Sequence, residues 1–130
     1  MNRIGENMGL DMFLDGVYRE DGETHRVGVI YWRKANAIHS WFVENIQAGE
    51  DNCQPHCVSR EQLVKLQNIC KEVIEDNTKA SKLLPTKAGF FFGSTEYDEV
   101  YFFDLHYTVE KIGEVLKDER FEFFEYFSWW

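Results

Sequence analysis

Trp32, Asn36, His39 and Val43 recur at intervals of four, three and four residues, the spacing that lines side chains up along one flank of an α-helix. Arg33 stands beside them. Tryptophan offers a stacking plane, arginine a planar fork for phosphate or carboxylate, and histidine and asparagine directional hydrogen bonds. Such a set can hold a nucleotide-like anion. Further along, Gly93-Ser94-Thr95 lies between an apolar run and a helix start, where free amides attract anions, and Tyr97 supplies a second stacking plane. The predicted ligand-binding residues are therefore Trp32, Arg33, Asn36, His39, Ser94, Thr95 and Tyr97. A competing reading packs Trp32 and His39 under a sheet and pairs Arg33 with a surface carboxylate. The Gly93 segment lacks the Walker spacing, and Glu96 and Asp98 would repel phosphate, so helix capping by Ser94 or Thr95 is its stronger explanation.

Catalytic and metal chemistry find less support. His39 with Asp98 or Glu99 would make an acid–base pair, and Ser94 a nucleophile activated by His39. Nothing in the sequence orients either arrangement, so no catalytic residue is assigned and the reading favours a binder over an enzyme. Cys53, His56 and Cys57, with Cys70 on a helix, do not match the paired spacing of structural zinc. No metal or cofactor is expected. Glu96, Asp98, Glu99 and Asp104 form an acidic run without a base. It reads either as a nucleic-acid mimic or as a solvated helix start, and the interleaved Tyr97, Val100 and Tyr101 favour the second.

The 130 residues carry a net charge of −9, which argues against direct nucleic-acid binding, since that depends on basic surface. Aromatics make up 16% of the chain, more than a minimal core needs, and the surplus often serves recognition. They crowd into Gly89–Phe103, GFFFGSTEYDEVYFF, and into the tail FEFFEYFSWW. Three cysteines, no secretory leader and no apolar run of spanning length point to a reducing cytosol and no membrane.

The elements that must position these residues follow from periodicity. Leu10, Met12 and Leu14 alternate with Asp11, Phe13 and Asp15 as in a half-buried strand. Glu20–Glu23 is a turn around Asp21-Gly22, and Arg26–Ile30 forms the returning strand of a hairpin. Tyr31, Ala35, Ile38, Phe42 and Ile46 predict a first helix from Tyr31, ended by Gly49. Asp51–Val58 reads as loop. Ser59–Gln62 is a capping box opening a second helix that buries Leu63, Leu66, Cys70 and Val73 and ends near Asp76-Asn77. Lys79–Ala88 is irregular around Leu84-Pro85, and Phe90–Phe92 is a short buried strand. A third helix has the core face Tyr97, Tyr101, Leu105, Val109, Ile112 and Leu116. The tail is a strand with a bulge near Phe123-Phe124, pairing with the amino-terminal strand. The fold class is α+β: a small antiparallel sheet, made of the N-terminal hairpin plus the C-terminal strand, covered by three α-helices, as a single domain over 1–130. Aromatic surface left over on the tail predicts a homo-oligomer.

Met8–Leu14 (MGLDMFL), Tyr31–His39 (YWRKANAIH) with Trp41-Phe42-Val43, Leu83–Thr86 and Gly89–Asp98 together resemble a family of small uncharacterised bacteriophage proteins. Its members open MGLDMYL and carry YWRKAN and GFFFGSTEYDE blocks. They begin at the residue matching Met8, so Met1–Asn7 reads as an N-terminal extension, and many have a longer, charged insert where Gly16–His25 is short. The resemblance implies a phage origin and an accessory gene acting in the host cytoplasm, without an activity to carry over. Small accessory phage proteins often counter host immunity by sequestering nucleotide signals or blocking an effector. The expected function is thus a non-enzymatic anti-defence protein that sequesters a small anionic nucleotide-like ligand. The alternatives are an acidic inhibitor of a host nucleic-acid-binding defence protein, and a small hydrolase.

Overall fold

Apolar–polar alternation from Leu10 onward builds β1, Asp11–Glu20, which turns at Asp21 (φ 54°) and Gly22 (φ 78°) into β2, Glu23–Arg33. Two consecutive positive φ angles are what a two-residue hairpin of matching twist requires. The computed structural model describes residues 9–89 and 92–130. Among these, the chain continues through α1 (Asn36–Asn45), β3 (His56–Val58), α2 (Arg60–Glu75), a 3-10 turn (Asn77–Lys79), the single-turn α3 (Ala80–Leu83), α4 (Glu99–Leu116) and β4 (Phe123–Trp129). The fold is α+β, with one antiparallel sheet of order β2-β1-β4-β3.

The tail pairs with β1 from Asp11↔Trp129 to Val17↔Phe123. Its alternation is regular, burying Phe124, Tyr126 and Ser128. The predicted bulge near Phe123-Phe124 does not form, because β4 begins after Glu122 and so contains only one of the two glutamates, Glu125, which fits the outward set without a bulge. The register shift lies in the hairpin instead, between Leu14 and Asp15.

The first helix starts later than its periodicity implied. β2 runs through Trp32 and Arg33, since Met12↔Trp32 and Asp11↔Arg33 continue the hairpin ladder and Tyr and Trp suit a pleated surface. Lys34 then takes φ 55°, and the helix opens at Asn36 with Ala35, Ile38 and Phe42 buried as expected. Tyr31 faces outward on the sheet. The segment expected as loop before Ser59 contains β3, and the one expected as irregular after Lys79 contains α3.

The capping box at Ser59 and Gln62 is present, and α2 buries Leu63, Leu66, Cys70 and Val73. Arg60 ties this helix start to the chain reversal after α4, donating to the carbonyls of Leu116, Asp118 and Phe121. Asp98 caps α4, rather than Ser94 or Thr95; its carboxylate accepts from the Tyr101 amide at 3.1 Å. Tyr97 precedes that helix. The α4 face buries Tyr101, Leu105, Thr108, Ile112 and Val115, with Val109 and Leu116 only half-buried. Thr108 is admitted to the core because its hydroxyl accepts from Trp32 Nε1 (2.8 Å) and donates to the Asp104 carbonyl (2.7 Å). The predicted strand at Phe90–Phe92 lies partly, and the extension Met1–Asn7 wholly, outside the described residues; Phe92 itself is buried in a bend.

Core side chains from all four strands and all the described α-helices join one apolar cluster. The opposite sheet face carries Phe13 stacked on Phe127 (4.9 Å) and beside Tyr31 (5.4 Å), with Arg26 bridging to Glu125 (2.8 Å). Gly16 marks the tightest point of β1. A Cβ there would sit 2.5 Å from the Phe121 ring, closer than any side chain tolerates. Gly16→Ala should therefore destabilise the fold by about 1–3 kcal/mol through overpacking. A urea midpoint unchanged from the native chain would show that Phe121 moves aside freely.

Candidate functional site

The carboxamide of Asn36, buried in the first turn of α1, organises the surrounding loop. Its Nδ2 donates to the carbonyls of Phe92 (3.0 Å) and Ser94 (2.8 Å), and its Oδ1 accepts from the Lys87 amide (2.9 Å). Thr86 adds a bond from its hydroxyl to the Thr95 carbonyl (2.9 Å), and Tyr101 donates to the Leu84 carbonyl (2.7 Å). These contacts hold residues 84–89 and 92–98 across the start of α1 and leave a cavity of about 160 Å³ between them, α1 and α4.

The cavity floor is buried and mostly apolar, formed by Ala35, Ala37, Ile38, Tyr101 and Leu105. Lys34, Ser94, Glu96 and Asp98 stand exposed around its mouth. An apolar cavity of about 150 Å³ accepts a benzene-sized ring, so the enclosed part has room for one ring system, with any appended group at the mouth.

Two kinds of polar group face this space. On one side is the amino terminus of α1, whose N-cap, Ala35, supplies no side-chain bond and whose first turn carries no acid. Its leading amides bear the positive end of the helix dipole. Lys34 lies next to them and has no ion-pair partner among the described residues. On the other side is Asp104, a half-buried carboxylate on α4 with no hydrogen-bond or ion-pair partner among the described residues. Burial, and then the neighbouring Asp98, raise its pKa from 3.8 to about 6. Glu96 and Asp98 add negative charge at the mouth, Asp98 being committed to the α4 cap.

Of the seven residues predicted from sequence, the structure brings Arg33, Asn36 and Ser94 to this cavity. Arg33 reaches it from β2, and its guanidinium is bonded to Asp11 at 2.7 Å. Ser94 Oγ accepts from the Glu96 amide at 3.0 Å in a local turn. Thr95 and Tyr97 lie just outside; the Tyr97 hydroxyl accepts from the Thr86 amide and its ring meets Tyr101 edge-on at 5.0 Å. Trp32 is not a stacking plane for a ligand. As the end of β2 rather than a helix flank, it points into the core, edge-on to Phe42 and Tyr126.

His39 is also withdrawn from the cavity. Its Nδ1 lies 2.6 Å from the Tyr126 hydroxyl and its Nε2 2.9 Å from Asp51. Burial lowers its pKa despite the carboxylate, while burial raises that of Tyr126. The ring is therefore neutral, with Tyr126 donating to Nδ1 and Nε2–H donating to Asp51. Both nitrogens are used, so neither the proposed pair with Asp98 or Glu99 nor activation of Ser94 is formed. Among the described residues no group of three or more His, Cys, Asp and Glu could hold a metal ion.

Lys34 and Asp104 are the cavity residues that periodicity missed. Lys34 directly precedes the helix start only once β2 is extended to Arg33. Asp104 reads as part of an acidic run until its position beside Leu105, one turn from Tyr101, is placed on the α4 core edge. No protein-family model matches the chain, and no curated protein and no solved structure is significantly similar to it.

The raised Asp104 pKa has a signed consequence for stability. Between about pH 4 and 6 the unfolded chain loses this proton before the folded one does, so the native state loses stability as pH rises and stays lower above pH 6. Asp104→Asn removes that loss. Solvent reaches part of the carboxyl, and screening trims the effect to about 1 kcal/mol, or ~4 °C in Tm. Melting curves should show the variant above the native chain at pH 7.5 and level with it at pH 4. Equal values at both would mean the carboxylate is well solvated.

Proposed function

We propose that this chain is a binding protein that retains a small anionic, nucleotide-like ligand in the cavity between α1 and α4 without transforming it. The observation that carries this reading is the joining of an uncapped helix amino terminus, with Lys34 beside it, to a ring-sized apolar floor. Backbone amides and a cation receive an anionic group, and the floor receives a planar or apolar one. The absence of a formed pair between Ser94 and His39 gives hydrolysis no support. The acidic-mimic alternative is weakened because Glu96, Asp98, Glu99 and Asp104 do not share one outward face: Asp98 caps a helix and Asp104 turns to the cavity.

The biological setting of the proposal comes from the resemblance to phage proteins. A retained nucleotide signal is one withheld from host immunity, so the role is counter-defence by sequestration in the host cytoplasm. Among the described residues no helix is long and apolar enough to cross a membrane. We further propose a homo-oligomer, assembled on the sheet face that carries Phe13, Tyr31, Phe127 and Trp129, the last 68% exposed. A twofold contact is the commonest way to cover such a face.

Incubation with a nucleotide panel, followed by heating and mass spectrometry of what is released, tests the first reading. Intact release supports retention, an altered product means turnover, and no release removes the proposal. Lys34→Gly should weaken retention about tenfold to a hundredfold, the worth of a charged hydrogen bond, while relieving the left-handed backbone at that position. Unchanged retention would place the anion elsewhere. For assembly, light scattering should give a multiple of the chain mass that Trp129→Glu lowers; a native monomer at tens of micromolar excludes it.

A further inference from the structure

Asp104 is an odd wall for an anion site. It is half-buried, its carboxylate has no partner among the described residues, and it lines the cavity together with the α1 amino terminus and Lys34. A ligand that is only anionic would be repelled by it, and by Glu96 and Asp98 at the mouth. One that carries an anion at one end and N–H donors at the other satisfies both sides. The two oxygens of a carboxylate suit a planar edge with two parallel N–H donors. The enclosed volume takes one six-membered ring, bounded by Ile38, Tyr101 and Leu105, and a fused base enters by that ring with the rest of it toward the mouth.

Resting on the binding function proposed above, we propose that Asp104 is the specificity determinant of the cavity and that it selects a guanine base, the ligand being a guanine nucleotide. Guanine presents N1–H and the exocyclic N2–H₂ side by side, the paired donors that a carboxylate accepts. Adenine presents at the equivalent edge an acceptor ring nitrogen, which would face the carboxylate unpaired. The phosphate then lies at the mouth, on the α1 amides and Lys34. A guanidinium offers the same paired donors, so an amino acid such as arginine is the competing source of that chemistry. The apolar floor favours the base, because a guanidinium on an alkyl stem would leave much of it uncovered.

The test is calorimetric titration of the full chain with guanosine, adenosine and xanthosine 5′-monophosphates, L-arginine and inorganic phosphate, repeated on Asp104→Asn. The native chain should prefer the guanine nucleotide over adenine by about tenfold or more, the scale of losing a paired hydrogen bond to a buried site. In Asp104→Asn the amide can donate to the xanthine O2 while its oxygen still accepts from N1–H. The variant should therefore prefer the xanthine nucleotide over guanine, with phosphate binding unchanged. Equal binding of guanine and adenine nucleotides, or an unchanged preference in the variant, would overturn the assignment of Asp104 and leave the anion site standing. Binding of arginine in preference to the guanine nucleotide would overturn the base. Failure of the native chain to bind any nucleotide or phosphate would overturn this inference together with the binding function beneath it.

Discussion

The carboxamide of Asn36 meets three backbone groups of the 87–94 segment from a buried position in the first turn of α1. The buried Phe92 carbonyl would otherwise be a polar atom without a partner in a low-dielectric setting, which is expensive to leave unmade. The single side chain thus fixes where the loop passes, and the loop in turn forms the roof of the cavity and delivers Ser94 and Glu96 to its mouth. Asn36 is the first residue of α1 and spends its carboxamide on the loop, while the N-cap position before it is Ala35, which has no polar side chain to cap the helix. The uncapped start of α1 and the anchor of the loop thus lie at neighbouring residues, Ala35 and Asn36.

Beneath this lies an aromatic column that fixes α1 itself. Phe42 stacks on Tyr126 at 3.8 Å with nearly parallel rings, and Trp32 stands edge-on to both. His39, one turn before Phe42, bonds to the same tyrosine and passes on to Asp51, which also accepts from Trp130. The strongest candidate catalytic side chain in the sequence is therefore a joint between helix, strand and loop. Its burial and its two partners explain why it stays neutral and why it does no chemistry at the cavity.

Much of the architecture was legible from local patterns. The turn at Asp21-Gly22, the capping box at Ser59 and the core stripe of α2 each depend on neighbours within a few residues, and each is found as read. The helix start was misplaced because Tyr31–Ile46 satisfies a helical period while Tyr31–Arg33 also completes a ladder. Counting the hairpin register outward from its turn carries the ladder past Tyr31 to Trp32, and the shift between Leu14 and Asp15 then sets Trp32 opposite Met12 and Arg33 opposite Asp11. The cap of α4 shifted from Ser94 to Asp98 for a different reason: Ser94 is held by Asn36, a partner far away in sequence. Asp104 was hidden for a similar reason. Its burial comes from the loop and from α1, neither of which periodicity along α4 can see. The cavity, made wholly of such long-range contacts, was foreshadowed only by residue types.

The sheet order places β1 between β2 and β4, so an early strand borders on one from the far end of the chain. The hairpin can form as soon as its turn is made, but its inner edge stays open until Phe123–Trp129 arrives. β3, three residues long, pairs with β4 alone and cannot join before it. Pairings of such sequence separation close late and slow the search for the native state. During synthesis on the ribosome, the nascent chain would carry a two-stranded ribbon with an unpaired edge and exposed Met12 and Leu14 until its final strand is released, which makes that interval its window for misassociation.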